Sequence, residues 1–166
     1  MLLCNPLDWY WVVGGEETVV WSSNSMSYLD QTDNVYVQWL SRGGMPTNIA
    51  TKENLVDVIN SSVLPLILNL GVPVTCNTNN TLNATYSFND LPALADAARD
   101  ISSGLGMPNN ILHFWDINKS PILVPQSYVV SLYLAIRNYK MTLPTVITEV
   151  INGVTASLPA TPITIA

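Results

Sequence analysis

The longest pattern of apolar positions in the chain predicts a β-hairpin followed by a long helix. Apolar Ile111–Trp115 precedes the turn-forming Asn118-Lys119-Ser120, and Ile122–Val124 supplies the return strand. Pro125 suits the start of a helix, because the first turn needs no N–H from that residue. Beyond Pro125, apolar residues recur at helical spacing as far as Met141, so we expect one long helix there.

This predicted helix is apolar on nearly all sides, and a helix of that kind is usually buried on two faces. Its second face carries apolar and aromatic side chains, which are Tyr128, Leu132, Ala135 and Tyr139. The cover for this face is either the chain's own sheet or a neighbouring subunit. Tyr128 and Tyr139 are therefore candidate assembly contacts.

The N-terminal pattern alternates like strands and predicts a small antiparallel meander. Asp8–Val13 and Thr18–Ser23 are rich in aromatic and β-branched residues, and Met26–Leu29 can add a short third strand. Gly14-Gly15 and Asn24-Ser25 separate them as turns.

Two helices are expected after the meander. Thr32 is predicted to cap the first, whose expected buried stripe is Val35, Tyr36, Trp39 and Leu40. Thr51 is predicted to cap the second, whose expected inner face is Leu55, Val58, Ile59 and Ser62. Pro65 is expected to end or kink that second helix.

The residue pattern changes near residue 70 from helical spacing to strand-like segments, and this change predicts a domain boundary. Val72–Thr75 and Leu82–Phe88 have the character of strands, and Asn89–Ser103 has the spacing of an amphipathic helix. The expected fold class is α+β: an antiparallel meander plus two helices, then a strand–helix–hairpin–helix unit and an extended C-terminal tail. The expected domains are residues 1–70, 71–141 and 142–166.

The C-terminal segment has a weaker pattern. Pro144–Ile151 predicts one short helix, and residues 154–166 carry no charge, two prolines and the apolar Leu158, Ile163 and Ile165. Such a tail either lies against another strand or a neighbouring chain, or frays as termini commonly do. Leu158, Ile163 and Ile165 are therefore candidate assembly contacts, and deleting 154–166 is expected to reduce assembly without unfolding the domain.

The composition favours a protein that works in an assembly. Hydrophobic residues make up 48% of the chain and charged residues 11%, against a usual charged share of about 25%. A neutral surface suits permanent contact with neighbours, such as a homo-oligomer, although a monomer with a neutral surface is the alternative. The net charge is −6 and the six basic residues are scattered, which excludes a phosphate-binding patch and so argues against nucleic-acid partners. No apolar run is long enough to predict a membrane span.

Few residues suggest chemistry, and the sequence predicts no enzyme, cofactor or metal. His113 is the one histidine, and it lies in a predicted strand either facing solvent or satisfied in the core. Cys4 and Cys76 are read as buried free thiols. Asp30 and Asp33 form a pair at a turn and the start of a helix. Asp96 and Asp100 form a pair on the exposed face of a helix. Tryptophans able to stack on sugars are better explained as core fillers; they are Trp9, Trp11, Trp21, Trp39 and Trp115.

Several of these motifs together resemble a known family. The C-terminal half resembles a poorly characterised carboxy-terminal domain of bacteriophage tail proteins, through Tyr86 and the helix after it, Gly104–Pro108, Phe114-Trp115-Asp116 and the helix through Tyr139. The N-terminal part is similar to the leading segment of phage tail-fibre and tail-fibre-assembly proteins. The segments that carry this similarity are Tyr10–Val13, Tyr36–Leu40, Thr47 and Thr51–Leu55. Residues 142–166 lie outside the resemblance.

The resemblance implies a tailed-phage product made in the bacterial cytoplasm, with no catalytic role. It implies either a virion component (tail fibre, fibre adaptor or baseplate-associated protein) or a chaperone that assists fibre assembly and is not retained. Because a releasable chaperone usually keeps a charged surface, the low charge favours the virion component. Its expected partners are other tail or baseplate proteins. A module that binds host-surface glycans is a further alternative.

Overall fold

A computed structural model describes residues 5–166, and it has the α+β architecture expected from the sequence. The chain forms two compact units. Unit 1 comprises the chain up to Ile67 together with Pro144–Leu158, and unit 2 comprises Leu68–Leu143 and Pro159–Ala166. The chain first passes from unit 1 to unit 2 after Ile67, close to the domain boundary predicted near residue 70. Residues 142–166, predicted as a separate extension, are divided between the two units.

Unit 1 contains a four-stranded sheet with the order β3-β2-β1-β4. Its strands are β1 Tyr10–Val13, β2 Val19–Ser22, β3 Ser27–Asp30 and β4 Thr47–Ile49. The first three form the predicted antiparallel meander, with Trp11 opposite Trp21. β4 was predicted only as an extended link, but it pairs in parallel with β1.

Helix α1, Asn34–Ser41, follows the meander and differs from its prediction in two respects. Its N-cap is Asp33 rather than Thr32, because the Asp33 carboxylate accepts the Val35 N–H at 2.8 Å. Only Tyr36 of the expected stripe is fully buried, and Trp39 is partly buried. Val35 and Leu40 flank this narrow buried stripe and face solvent.

The second helix begins as predicted, with the Thr51 hydroxyl accepting the Asn54 N–H at 3.2 Å. α2 spans Lys52–Val58, a π-helical turn spans Ile59–Val63, and α3 spans Leu64–Asn69. Val63, rather than Ser62, is the buried residue on the inner face. Pro65 does not end the helix, because the wider turn lets the Leu64 N–H bond the Ile59 carbonyl just before the proline.

Unit 2 contains two separate small sheets. In the first, β5 Val72–Cys76 lies between β6 Ala84–Tyr86 and β9 Ile163–Ile165. In the second, β7 Ile111–Trp115 pairs with β8 Pro121–Pro125 as the predicted hairpin.

Two helices complete unit 2. α4, Leu91–Ser102, buries Leu94 and Ala98 as its spacing predicted. α5, Gln126–Ile151, follows the hairpin directly. Its buried Val129, Leu132 and Ile136 join one hydrophobic core with Phe114 of the hairpin and with side chains of α4, β5 and β9.

The predictions of a helix end at Met141 and of a separate helix over Pro144–Ile151 are wrong, because α5 is continuous. Pro144 removes one backbone hydrogen bond from the helix interior. The Thr148 hydroxyl donates to the Pro144 carbonyl at 2.9 Å, so the next turn gains a side-chain bond. Buried Val146, Ile147 and Ile151 then anchor the last turns, which belong to unit 1.

Candidate assembly surfaces

The C-terminal residues proposed as assembly contacts are placed differently by the structure. Ile165 is 5% exposed and belongs to the core of unit 2, and Ile163 packs against the same core. β9 pairs in parallel with β5, with Ile163 opposite Val74 and Ile165 opposite Cys76. The tail therefore lies against a strand of its own chain, which removes Ile165 from the exposed contacts. Leu158 remains exposed.

Tyr128 and Tyr139 also contribute to packing inside their own unit. The Tyr128 hydroxyl lies 3.0 Å from the Thr78 hydroxyl. The Tyr139 ring stacks on Phe88, with ring centroids 6.1 Å apart and planes 12° apart. Both side chains are partly buried, so the cover that α5 needs on this side comes largely from unit 2 itself.

The residues considered for chemistry occupy structural positions. Asp30 accepts two hydrogen bonds from Thr32, at 2.7 Å and 2.6 Å, and these bonds lower the pKa of its carboxyl. Asp96 pairs with Arg99 at 2.9 Å on the solvent side of α4. His113 is exposed and Cys76 is a buried free thiol, while Cys4 lies outside the described residues. Within residues 5–166, no three potential metal ligands lie together.

The tryptophans divide into buried and exposed ones. Trp11 and Trp21 are buried in the unit 1 sheet. Trp9 and Trp39 are partly buried and meet edge to face at 5.2 Å, and the Trp9 indole N–H donates to Thr47 at 2.9 Å. Trp115 is different, because half of its side chain is exposed.

The outer face of the β7–β8 hairpin is the first candidate assembly surface. Trp115 is 50% exposed and Leu123 is 51% exposed. Leu123 lies opposite His113, and Trp115 lies opposite Pro121, so the two large apolar side chains are diagonal neighbours on one face. The inner face holds buried Phe114, Ile122 and Val124, which fix the hairpin to the core.

The hairpin turn is also held firmly. The Asp116 carboxylate accepts the N–H groups of Asn118 and Ser120, at 2.8 Å and 2.7 Å. The Ile117 N–H donates to the Thr85 carbonyl of β6 at 2.8 Å. The outer face is thus presented by a rigid element, so a partner would bind it with little loss of conformational entropy.

A groove between α4 and α5 is the second candidate surface. It has a volume of about 580 Å³. Leu91, Pro92 and Ala95 line it from α4, and Tyr133 and Met141 line it from α5. This open, largely apolar shape fits a helix or an extended segment of another protein better than a small enclosed ligand.

Two cations line the same groove. Arg137 and Lys140 lie three residues apart on α5 and so share one helix face. Within the described part of the chain, neither makes a salt bridge, whereas Arg99 pairs with Asp96 and Lys119 pairs with Asp90. The groove thus combines apolar walls with uncompensated positive charge.

Charge is distributed unequally between the units. Unit 2 holds four acidic and four basic residues, so its formal charge is zero. Unit 1 holds the remaining eight acidic and two basic residues and therefore carries the whole net charge of −6. A cationic groove thus lies on the neutral unit, while the other unit is strongly acidic.

Helix α1 of unit 1 presents a third surface. Val37 is 46% exposed and Leu40 is 38% exposed, and their spacing places them on one face. Asp30 and Asp33 stand just before the N-terminus of this helix. The surface is therefore apolar along α1 and acidic at its start.

No family model, curated protein or solved structure matches this chain. The resemblance to phage tail proteins therefore stays a prediction from the sequence. In residues 5–166, no helix has the length and apolar content needed to cross a bilayer.

The sequence contains signals for two of these surfaces that the hydrophobic pattern alone does not use. His113 lies between the apolar Leu112 and Phe114, so alternation favours an outward position for it, and Trp115, two residues later, must share its face of the strand. Arg137 and Lys140 are two of the six basic residues scattered along the chain, but their spacing places them together on a helix. The apolar walls of the groove depend on how α4 meets α5, which no local pattern reveals.

Proposed function

We propose that this protein is a structural component of a tailed-bacteriophage virion, a tail-fibre, fibre-adaptor or baseplate-associated protein that acts through protein–protein assembly. The phage context rests on the sequence resemblance. The observation that supports assembly is the rigid outer face of the β7–β8 hairpin, with Trp115 and Leu123 half exposed.

Trp115 has the properties of an interface anchor. Tryptophan is enriched among the few residues that contribute most to binding free energy, because it buries a large rigid surface on docking. Leu123 widens the apolar patch next to it, and the bonded Asp116 turn keeps the patch in place. A partner that covers this face would remove both side chains from water.

Quantitative mass spectrometry of purified particles tests the proposal. The unaltered protein is expected in particles at a fixed copy number. Changing Trp115→Thr together with Leu123→Thr keeps residues suited to a strand and is expected to lower incorporation at least tenfold, a free-energy change of about 1.4 kcal/mol. Leu105→Thr is the matched control, because Leu105 is also an exposed leucine of unit 2 but lies outside the hairpin.

Three outcomes would count against this proposal. Absence of the protein from particles, with presence in infected cells, would support the assembly-chaperone alternative. Full incorporation of the double variant would mean that another surface makes the contact. Glycan binding that is lost on Trp115→Ala would favour a carbohydrate-binding module, since an exposed indole ring is also suited to stacking on a sugar.

A further inference from the structure

We infer that the groove between α4 and α5 binds α1 of a second copy of this chain, giving a head-to-tail contact between subunits. The groove offers apolar walls and two cations, while α1 offers two exposed apolar residues and an acidic start. This inference rests on the proposed function, because a structural component is repeated in a larger particle. The surfaces that it uses are distinct from the hairpin face.

Charge complementarity identifies the partner as an acidic protein surface. Arg137 and Lys140 are the two cations of unit 2 that have no carboxylate partner within residues 5–166. Unit 1 of every copy carries six more negative than positive charges. A second copy therefore brings the complementary charge, whereas two cationic grooves facing each other would repel.

The shape of α1 also matches the groove. Its eight residues, Asn34–Ser41, span about 12 Å at the helical rise of roughly 1.5 Å per residue. Val37 and Leu40 are one turn apart and would contact Leu91, Ala95 and Met141. Amphipathic helices commonly bind grooves between two helices in this manner, through a few apolar anchors on one face.

The charged groups are placed to set the direction of docking. Asp30 and Asp33 lie at the N-terminal end of α1, so only one orientation of the helix brings them towards Arg137 and Lys140. Exposed charge pairs contribute little free energy each and are screened by salt. The apolar contact is therefore expected to supply most of the affinity, and the charges the orientation and salt dependence.

A head-to-tail contact uses two different surfaces on each subunit. Its repetition either closes into a ring or continues as a filament, depending on the rotation between neighbours. Both products suit a component that is repeated in a larger particle.

Sedimentation velocity of the full chain measures this self-association. The unaltered protein is expected to form oligomers whose average mass rises with concentration and falls between about 0.05 M and about 0.5 M NaCl, where screening shortens the range of charge interactions. The groove variant, Arg137→Glu with Lys140→Glu, is expected to associate at least tenfold more weakly. The helix variant, Val37→Lys with Leu40→Lys, is expected to lose association to the same extent.

The control variant combines Lys52→Glu with Arg99→Glu, which makes the same change in net charge at exposed positions that do not line the groove. It is expected to associate like the unaltered protein. Circular dichroism and thermal unfolding show whether each variant is folded, and all four substitutions in the two test variants introduce residues compatible with a helix.

Mixing the two test variants is the decisive step. The helix variant keeps an intact groove and the groove variant keeps an intact α1, so a one-to-one complex is expected that grows no further. A monomeric unaltered protein, unchanged association of either variant, or no complex in the mixture would overturn the head-to-tail contact. None of these results would alter the particle measurement on the hairpin, so the two proposals can fail separately.

Discussion

Tyr86 shows how one residue joins several parts of unit 2. Its side chain is fully buried, its hydroxyl donates to the Leu82 carbonyl at 2.9 Å, and its ring stacks on Phe114 of the hairpin at 6.2 Å. Burial raises the pKa of the Tyr86 phenol to about 12, because the charged form would lose its hydration. Tyr86 thus connects the β6-β5-β9 sheet to the hairpin that carries the proposed assembly face.

The raised pKa of Tyr86 predicts a pH-dependent stability. An unfolded tyrosine has a pKa of about 10, so above that pH unfolding releases a proton that the folded protein retains. The contribution of the neutral Tyr86 phenol to the free energy of unfolding is complete below about pH 10. It is lost as pH rises towards about 12, and the total loss is roughly 2–3 kcal/mol. Urea unfolding across this range should show the decline in the unaltered protein and a shallower one in Tyr86→Phe.

The same variant has a second expected effect at neutral pH. Tyr86→Phe leaves the buried Leu82 carbonyl without its donor and should cost about 1–3 kcal/mol. Parallel pH profiles for the two proteins would contradict the assignment of the alkaline decline to Tyr86.

At the scale of elements, local patterns predicted the pieces that local interactions decide. The hairpin and α4 follow from alternation, turn residues and helical spacing, and all three can be read from a short window. β4 is predicted only as an extended link, and for the tail that contains β9 the sequence predicts contact with a strand or chain but not which one, because each strand pairs in parallel with a partner far away in the sequence. Such a partner is chosen by tertiary packing, which a three-residue window does not encode.

The helices also show that local sequence patterns do not encode tertiary packing. The α1 pattern offered four apolar positions, but the narrow face against the sheet holds only Tyr36 and Trp39. The sequence predicts that Pro65 ends or kinks its helix and that Pro144 begins a separate one, yet a π-helical turn precedes Pro65 and buried residues anchor the turns after Pro144. The exposed face of α1 and the continuous α5 both bear on the candidate surfaces, and both depended on packing.

The connection from α3 to β5 provides a test at this scale. Gly71 has a φ of +71°, and an added Cβ would lie 2.5 Å from the Tyr86 carbonyl oxygen. Gly104 has a similar φ of +85° but nothing within 4 Å. Gly104→Ala should therefore cost only the left-handed backbone penalty of about 1–2 kcal/mol. Gly71→Ala should cost clearly more in urea unfolding, because backbone must move; equal losses would contradict this close approach.

At the scale of the whole molecule, neither unit is one continuous segment. Unit 1 takes Pro144–Leu158 from the C-terminal region, and unit 2 takes Pro159–Ala166. The sequence predicts three consecutive domains, whereas the two units group residues that contact one another, wherever they lie in the chain. The unequal charge also becomes visible only once residues are assigned to units, and it is the basis for the acidic partner that we propose for the cationic groove.

The return of the last residues to unit 2 argues against the expectation that residues 154–166 can be deleted without unfolding. β9 supplies backbone pairing to β5, and Ile165 fills part of the main core. Ile165→Ala is expected to destabilise unit 2 by about 2–5 kcal/mol, as for other buried truncations, and deletion of 163–166 by at least as much. Thr164→Ala is the matched control on the exposed side of the same strand.

Amide hydrogen exchange in β5 measures this effect within unit 2 alone. Protection of Val72–Cys76 is expected to fall strongly for Ile165→Ala and for the deletion, and to change little for Thr164→Ala, because exchange reports the free energy of opening. Unchanged protection after deletion would show that β9 contributes little, and Ile163 and Ile165 would then return as candidate contacts for a neighbouring chain. Strong loss would leave Leu158 as the remaining C-terminal candidate, beside the hairpin face, the groove and α1 as the candidate assembly surfaces.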